Sequence, residues 1–175
     1  MKSRLCIFVL LLTAVSTAIP AYTQGEKKPR TVADYRWRTL RELKTLQPDS
    51  IAKDPQSKDP ALRIVVHADL LPSRVKVLYD GTTRTLSERR ETVITAWANR
   101  YAGAPEFYTA PYQTEMLFTE EGESYWLAVR TDSLAEFAQE LKKGEMVELF
   151  LVKLGNIKID ERMEPVLLVE KFLKP

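Results

Sequence analysis

The chain is poor in the residues that build reactive sites. It has one cysteine, Cys6, and one histidine, His67. Cys6 sits inside an N-terminal apolar run, so the rest of the chain can make no disulfide, thiolate metal site or cysteine nucleophile. A lone histidine would leave zinc dependent on carboxylates, unlike the nitrogen- and sulfur-rich sets that metal takes. No metal or other cofactor is therefore expected. Six glycines occur, none in a Walker or Gly-x-Gly-x-x-Gly arrangement that could cradle a phosphate. No Gly-x-Ser-x-Gly turn is present to expose a serine nucleophile. Asn99 and Asn156 are the only asparagines, and neither begins an Asn-x-Ser/Thr triplet.

The first residues carry the clearest signal. Met1-Lys2-Ser3-Arg4 is a short basic start, and Leu5 to Val15 is apolar apart from Thr13. Ser16-Thr17-Ala18 then places small residues at a cut site. This is the pattern of a secretory signal peptide over 1–18, cleaved after Ala18 or, less favourably, after Ala21. The run is shorter than the roughly 18–20 apolar residues that span a bilayer, and no second run of that kind follows. A secreted or periplasmic location is expected, with no transmembrane segment after signal removal. Lys2 and Arg4 account for the formal net charge of +2. A near-neutral remainder gives no global attraction to nucleic acid.

Residues 19–60 read as a leader, an N-terminal helix over 31–46 and a Pro-rich linker. Val32, Tyr35, Leu40, Leu43 and Leu46 fall roughly on one side of that helix, and Thr31 is its candidate N-cap. Between 47 and 60, Pro48, Pro55 and Pro60 with several Asp and Ser residues forbid a packed element. The helix is either an arm tethered to a compact α+β domain over 61–175 or an element packed on that domain.

In that domain, alternation predicts strands over 62–68 and 75–79, with a turn at Asp80-Gly81. A helix is predicted over 86–101, with Thr85 and Glu88 at capping-box spacing. Thr114–Thr119 and Ser124–Arg130 flank a glycine-containing loop, as hairpin strands do. Ser133 starts a short helix, residues 145–154 form a long strand, Gly155-Asn156 turns, and 166–172 closes the sheet. The fold class expected is α+β. It has a small, mostly antiparallel curved sheet or partial barrel with two packed helices, preceded by the N-terminal helix. A short helix leading through Lys142-Lys143-Gly144 into a long strand resembles OB-like barrels. The resemblance covers the second half and is architectural, so it implies no activity.

Four constellations remain. His67 and Asp69 share a strand face and could act as base and orienter in a hydrolase, with a serine brought in by folding; the plainer reading is a polar edge on an ordinary strand. Glu115, Glu120, Glu121 and Glu123 could supply a carboxylate pair, against the plainer reading of a solvated hairpin. Phe107, Tyr108 and Tyr112 lie in a segment stiffened by Pro105 and Pro111, with Trp126 a candidate neighbour. Such rings can grip a peptide or sugar, or can simply fill a core. Tyr35, Arg36, Trp37 and Arg38 form a basic aromatic patch suited to a partner protein. The balance points to an exported, non-catalytic binding module of the bacterial envelope, its partner an envelope protein, peptide or glycan. A small exported hydrolase using His67 and Asp69 or a carboxylate pair is the alternative.

Overall fold

The computed structural model describes residues 30–46, 63–102, 106–159 and 162–175. The segment read as a signal peptide (1–18) and the Pro-rich segment 47–60 lie outside them. Six strands form one sheet: β1 (Arg36–Trp37), β2 (Arg63–Thr85), β3 (Thr114–Glu120), β4 (Glu123–Val129), β5 (Met146–Ile159) and β6 (Arg162–Leu173). The order is β1-β2-β3-β4-β6-β5, and β5 pairs back onto β2. Strands β2 to β6 therefore close into a five-stranded barrel, with β1 added outside it. Neighbours around the barrel are antiparallel except β4 and β6, which run parallel.

Closure depends on β2. Its first part pairs with β5, from Arg63 against Lys158 to Leu78 against Met146. Its last part pairs with β3, from Leu78 against Thr119 to Thr85 against Thr114. The two strands expected at 62–68 and 75–79 are thus one bent strand. Asp80-Gly81 is not a hairpin turn: the register against β3 shifts between Tyr79 and Thr83, and Gly81 has φ +83°. Glycine here permits a bulge within the part of β2 that pairs with β3.

Gly155-Asn156 is likewise not a turn but lies within β5. A Cβ on Gly155 would meet the Val65 carbonyl oxygen at 2.0 Å, so the glycine lets two backbones approach closely. The β3–β4 hairpin follows the sequence reading. Glu121 and Gly122 both take positive φ, 49° and 83°, as a tight two-residue turn requires.

Alternation along the strands separates two cores. Val75, Val77, Phe118, Leu127, Leu149 and Leu151 face the barrel interior with Phe137 of α4 (Leu134–Glu140). Ala128, Val152, Leu154 and Leu168 face outward and are covered by Val93, Ile94 and Trp97 of α2 (Glu88–Trp97). Helix α2 continues as a π-type turn over Ala98–Ala102, and its N-cap is Ser87 rather than Thr85. Arg90 of α2 reaches the fully buried Glu115 of β3, which also binds Arg84. A buried carboxylate held by two guanidinium groups is costly to break, whatever its net contribution.

The single helix over 31–46 is not formed. Its place is taken by a 3-10 turn (Val32–Asp34), strand β1 and the short α1 (Leu40–Thr45). The five-residue step from Tyr35 to Leu40 breaks the three-to-four spacing a continuous helix needs. Thr39 and Glu42 start a new helix with reciprocal capping bonds of 3.0 and 2.7 Å. Between the two helical pieces, Arg36 and Trp37 pair with Ser73 and Arg74, and the Arg38 N–H donates to the Arg74 carbonyl.

Nor is this segment free of the barrel. Leu40 and Leu43 have no exposed surface and belong to the interior cluster. Glu120 accepts from the Leu40 and Arg41 N–H groups at 2.7 and 3.2 Å, where the helix dipole favours an anion. At the other end the buried Lys153 ammonium donates to the Leu43 carbonyl at 2.6 Å and to that of Leu46. Opposite charges from β3 and β5 thus clamp both ends of α1.

Two substitutions test this packing by denaturant unfolding. Leu43→Ala is expected to cost about 2–5 kcal/mol, as deletion of a buried leucine does. A cost below about 1 kcal/mol would mean that the helix is not part of the core. Gly155→Ala is expected to cost more than about 2 kcal/mol, because backbone rather than a flexible side chain must move. A neutral result would contradict the close approach to Val65.

Candidate functional site

The structure separates the residues nominated by the sequence. Tyr112 is buried and its hydroxyl donates to the Val169 carbonyl at 3.4 Å. Burial, with the Glu170 carboxylate adding to it, pushes the Tyr112 pKa upward. Tyr108 is half-buried, edge-on to Trp97 with ring centroids 5.0 Å apart. Phe107, on the four-residue helix α3 (Glu106–Thr109), is 70 % exposed. Trp126 stands on β4, directly opposite Leu117 of β3, with the Arg84 guanidinium 4.0 Å above its ring. Two of the three rings from segment 104–112 therefore support α2 and the outer core, and Trp126 lies on a different strand surface.

The N-terminal quartet divides in the same way. Tyr35 is buried, edge-on to Phe150 at 5.1 Å, and its hydroxyl donates to Glu170, which also binds Arg30. Burial first, then that hydrogen bond, raises the Tyr35 pKa. Arg38 donates to the Pro72 carbonyl at 3.2 Å and the Ser73 hydroxyl at 3.0 Å. Arg36 is exposed. Trp37 is 53 % exposed, with the Arg74 guanidinium 4.3 Å from its ring centre and the Lys76 ammonium 5.6 Å away.

A groove of about 400 Å³ opens beside Trp37, lined also by Arg38, Lys76, Leu78, Glu120 and Met146. Strand register explains the cluster. Leu78 lies opposite Met146 across β2 and β5, and Glu148, two residues on, lies opposite Leu173 of β6. Leu78, Met146 and Leu173 are 39, 45 and 46 % exposed. An exposed apolar group of this kind, rimmed by charges, marks an interaction surface more often than isolated exposed side chains do. Sequence reasoning named Trp37 but missed Leu78 and Met146. Both occupy outward positions of strands that read as core, and only the β2–β5 register brings them together.

The catalytic candidates are placed less favourably. His67 is buried, and its Nε2 has no hydrogen-bond partner. It is not the polar strand edge that its spacing suggested. The side chain of Asp69 lies outside the described residues. Burial, with the Lys153 cation as the smaller cause, lowers the His67 pKa to about 4. Burial likewise lowers that of Lys153 to about 8. Among the acids, Glu115 is held by Arg84 and Arg90, Glu120 caps α1, and Glu121 and Glu123 lie within 3.2 and 3.8 Å of Arg41. Each carboxylate already answers a cation or a helix end. Among the described residues no group of three or more His, Cys, Asp or Glu could hold a metal, and no helix is long and apolar enough to cross a membrane.

Compared with known proteins, the chain matches no family model, no curated protein and no solved structure.

His67 generates a pH prediction. It is the only histidine, and its folded-state pKa lies below the ordinary value near 6.5. The unfolded chain therefore binds a proton between pH 6.5 and 4 that the folded chain refuses, so stability falls as pH falls through that window. The full loss below pH 4 is about 3 kcal/mol. Urea unfolding at pH 7 and pH 5 reads the slope. It should flatten in His67→Leu, and a wild-type profile flat over this interval would contradict the buried neutral imidazole.

Proposed function

We propose that this chain is an exported, non-catalytic binding module of the bacterial envelope, built on an OB-like barrel and acting through the groove beside Trp37. The observation that carries this reading is the half-exposed Trp37 ring beside the exposed side chains of Leu78 and Met146 in one concave site. Burying such side chains costs nothing in folding but gains free energy on association, and tryptophan is among the strongest anchors at interfaces.

Architecture supports the same reading. Five barrel strands, with a helix between the third and fourth, match the OB-like arrangement, whose binding surface is the outer face of the second and third barrel strands. Here those strands are β3 and β4, where Trp126 and Leu117 point outward, and the groove adjoins them at Thr119 and Glu120. The analogy raises the prior for binding without naming a ligand. Export rests on the N-terminal basic and apolar pattern of the sequence.

The test is photocrosslinking in intact bacteria from a reactive residue placed at Leu78, with Arg89 on α2 as the control position. A discrete crosslinked species from position 78 alone, lost in Trp37→Ala, is the expected result. Trp37→Ala should change stability by less than about 1 kcal/mol, since it removes only a surface ring and its cation contact. The same products from both positions, or none from 78, would overturn the reading.

A further inference from the structure

Met116, Met146 and Met163 occupy three different settings. Met116 is 1 % exposed and belongs to the barrel interior. Met163, on β6, is half-buried. Met146 is 45 % exposed, opens β5 and lines the groove beside Trp37. An oxidant must reach a thioether sulfur to oxidise it, so solvent access ranks the three in the order Met146, Met163, Met116.

The backbone at Met146 is fixed without help from its side chain. It lies opposite Leu78 across β2 and β5, and the carbonyl just before it, that of Glu145, accepts the Tyr79 N–H at 2.9 Å. The side chain belongs to neither hydrophobic core. An oxygen added to its sulfur therefore leaves both cores untouched. The same oxygen on Met116 would sit unpaired in the interior, which folding does not tolerate cheaply.

The groove, by contrast, changes character. Sulfoxide formation turns an adaptable apolar side chain into a polar one. Its oxygen is a hydrogen-bond acceptor, and the groove lining holds two groups that donate, the Lys76 ammonium and the Thr119 hydroxyl.

We propose that Met146 is an oxidation site, converted to its sulfoxide by a peroxide, and that the conversion alters the groove while leaving the fold intact. The sulfur lone pair attacks one peroxide oxygen, the O–O bond breaks and an S–O bond forms. The attacked oxygen's proton passes to the leaving oxygen, which departs as water from hydrogen peroxide. The sulfur loses two electrons and the peroxide gains them. The site exists whether or not the groove holds a ligand; where it does, the sulfoxide changes the surface that ligand meets.

The test is timed exposure of the purified protein to hydrogen peroxide, with mass spectrometry of its proteolytic peptides. Oxygen should enter Met146 about tenfold or more faster than Met116, and faster than Met163. When Met146 alone has been converted, the urea midpoint should be unchanged and the Trp37 indole N–H signal in the NMR spectrum should have moved. In Met146→Leu that movement should vanish while the Met116 rate stays as it was. A Met146 rate no higher than that of Met163 or Met116 would overturn the assignment. A lower urea midpoint after selective conversion would overturn the intact fold, and an unmoved Trp37 signal would overturn the effect on the groove.

Discussion

One long strand belongs to both sides of the barrel, and the rest of the molecule is arranged around that constraint. β2 pairs with β5 along one edge over its first part and with β3 along the other edge over its last, and Gly81 supplies a bulge within the β3-paired part. Where it leaves β5 and joins β3, Leu78 is paired on both flanks and its side chain points outward. The opening between β1 and the end of β3 follows from the pairing along β2, because β1 stops opposite Arg74 and β3 ends opposite Leu78. At about 3.3 Å per residue, the interval is about 13 Å, and the groove occupies it.

The N-terminal segment turns this interval into a site. It crosses the barrel surface from Glu170 of β6, over Phe150 of β5, to Arg74 of β2, and then inserts Leu40 and Leu43 into the interior. Charges supplied by the barrel decide where the helical turn starts and stops: Glu120 at one end, Lys153 at the other. Trp37 lies between the crossing and the insertion. Its exposure is thus imposed by anchors on either side, which is why it can present a ring to solvent without sacrificing the core.

How much of this was legible depends on the range of the interactions involved. The β3–β4 hairpin, α2 and the short helix α4 are specified by local turn chemistry and periodicity, and they stand where the residues place them. The N-terminal helix failed because a loose apolar stripe over 31–46 outweighed the five-residue step after Tyr35, which carried the opposite message. Gly81 and Gly155 read as turns because positive φ and close backbone approach leave the same mark in a sequence. Distinguishing them needs the partner strand. The burial of His67 and Lys153, and the meeting of Leu78 with Met146, follow from long-range register that no local window contains. Two of the three rings in segment 104–112 proved structural, since Tyr108 and Tyr112 pack beneath or beside α2.

Native-state hydrogen exchange tests most directly the claim that the N-terminal segment is a fixed part of the barrel. The amides of Arg38, Leu43 and Leu46 donate to Arg74, Thr39 and Glu42, and they report β1 and α1 separately. The account predicts that these amides exchange at rates close to those of Val75 and Leu149 in the barrel, because docking and barrel stability form one cooperative unit. Exchange orders of magnitude faster than the barrel would contradict it, and would make the segment an arm that opens independently.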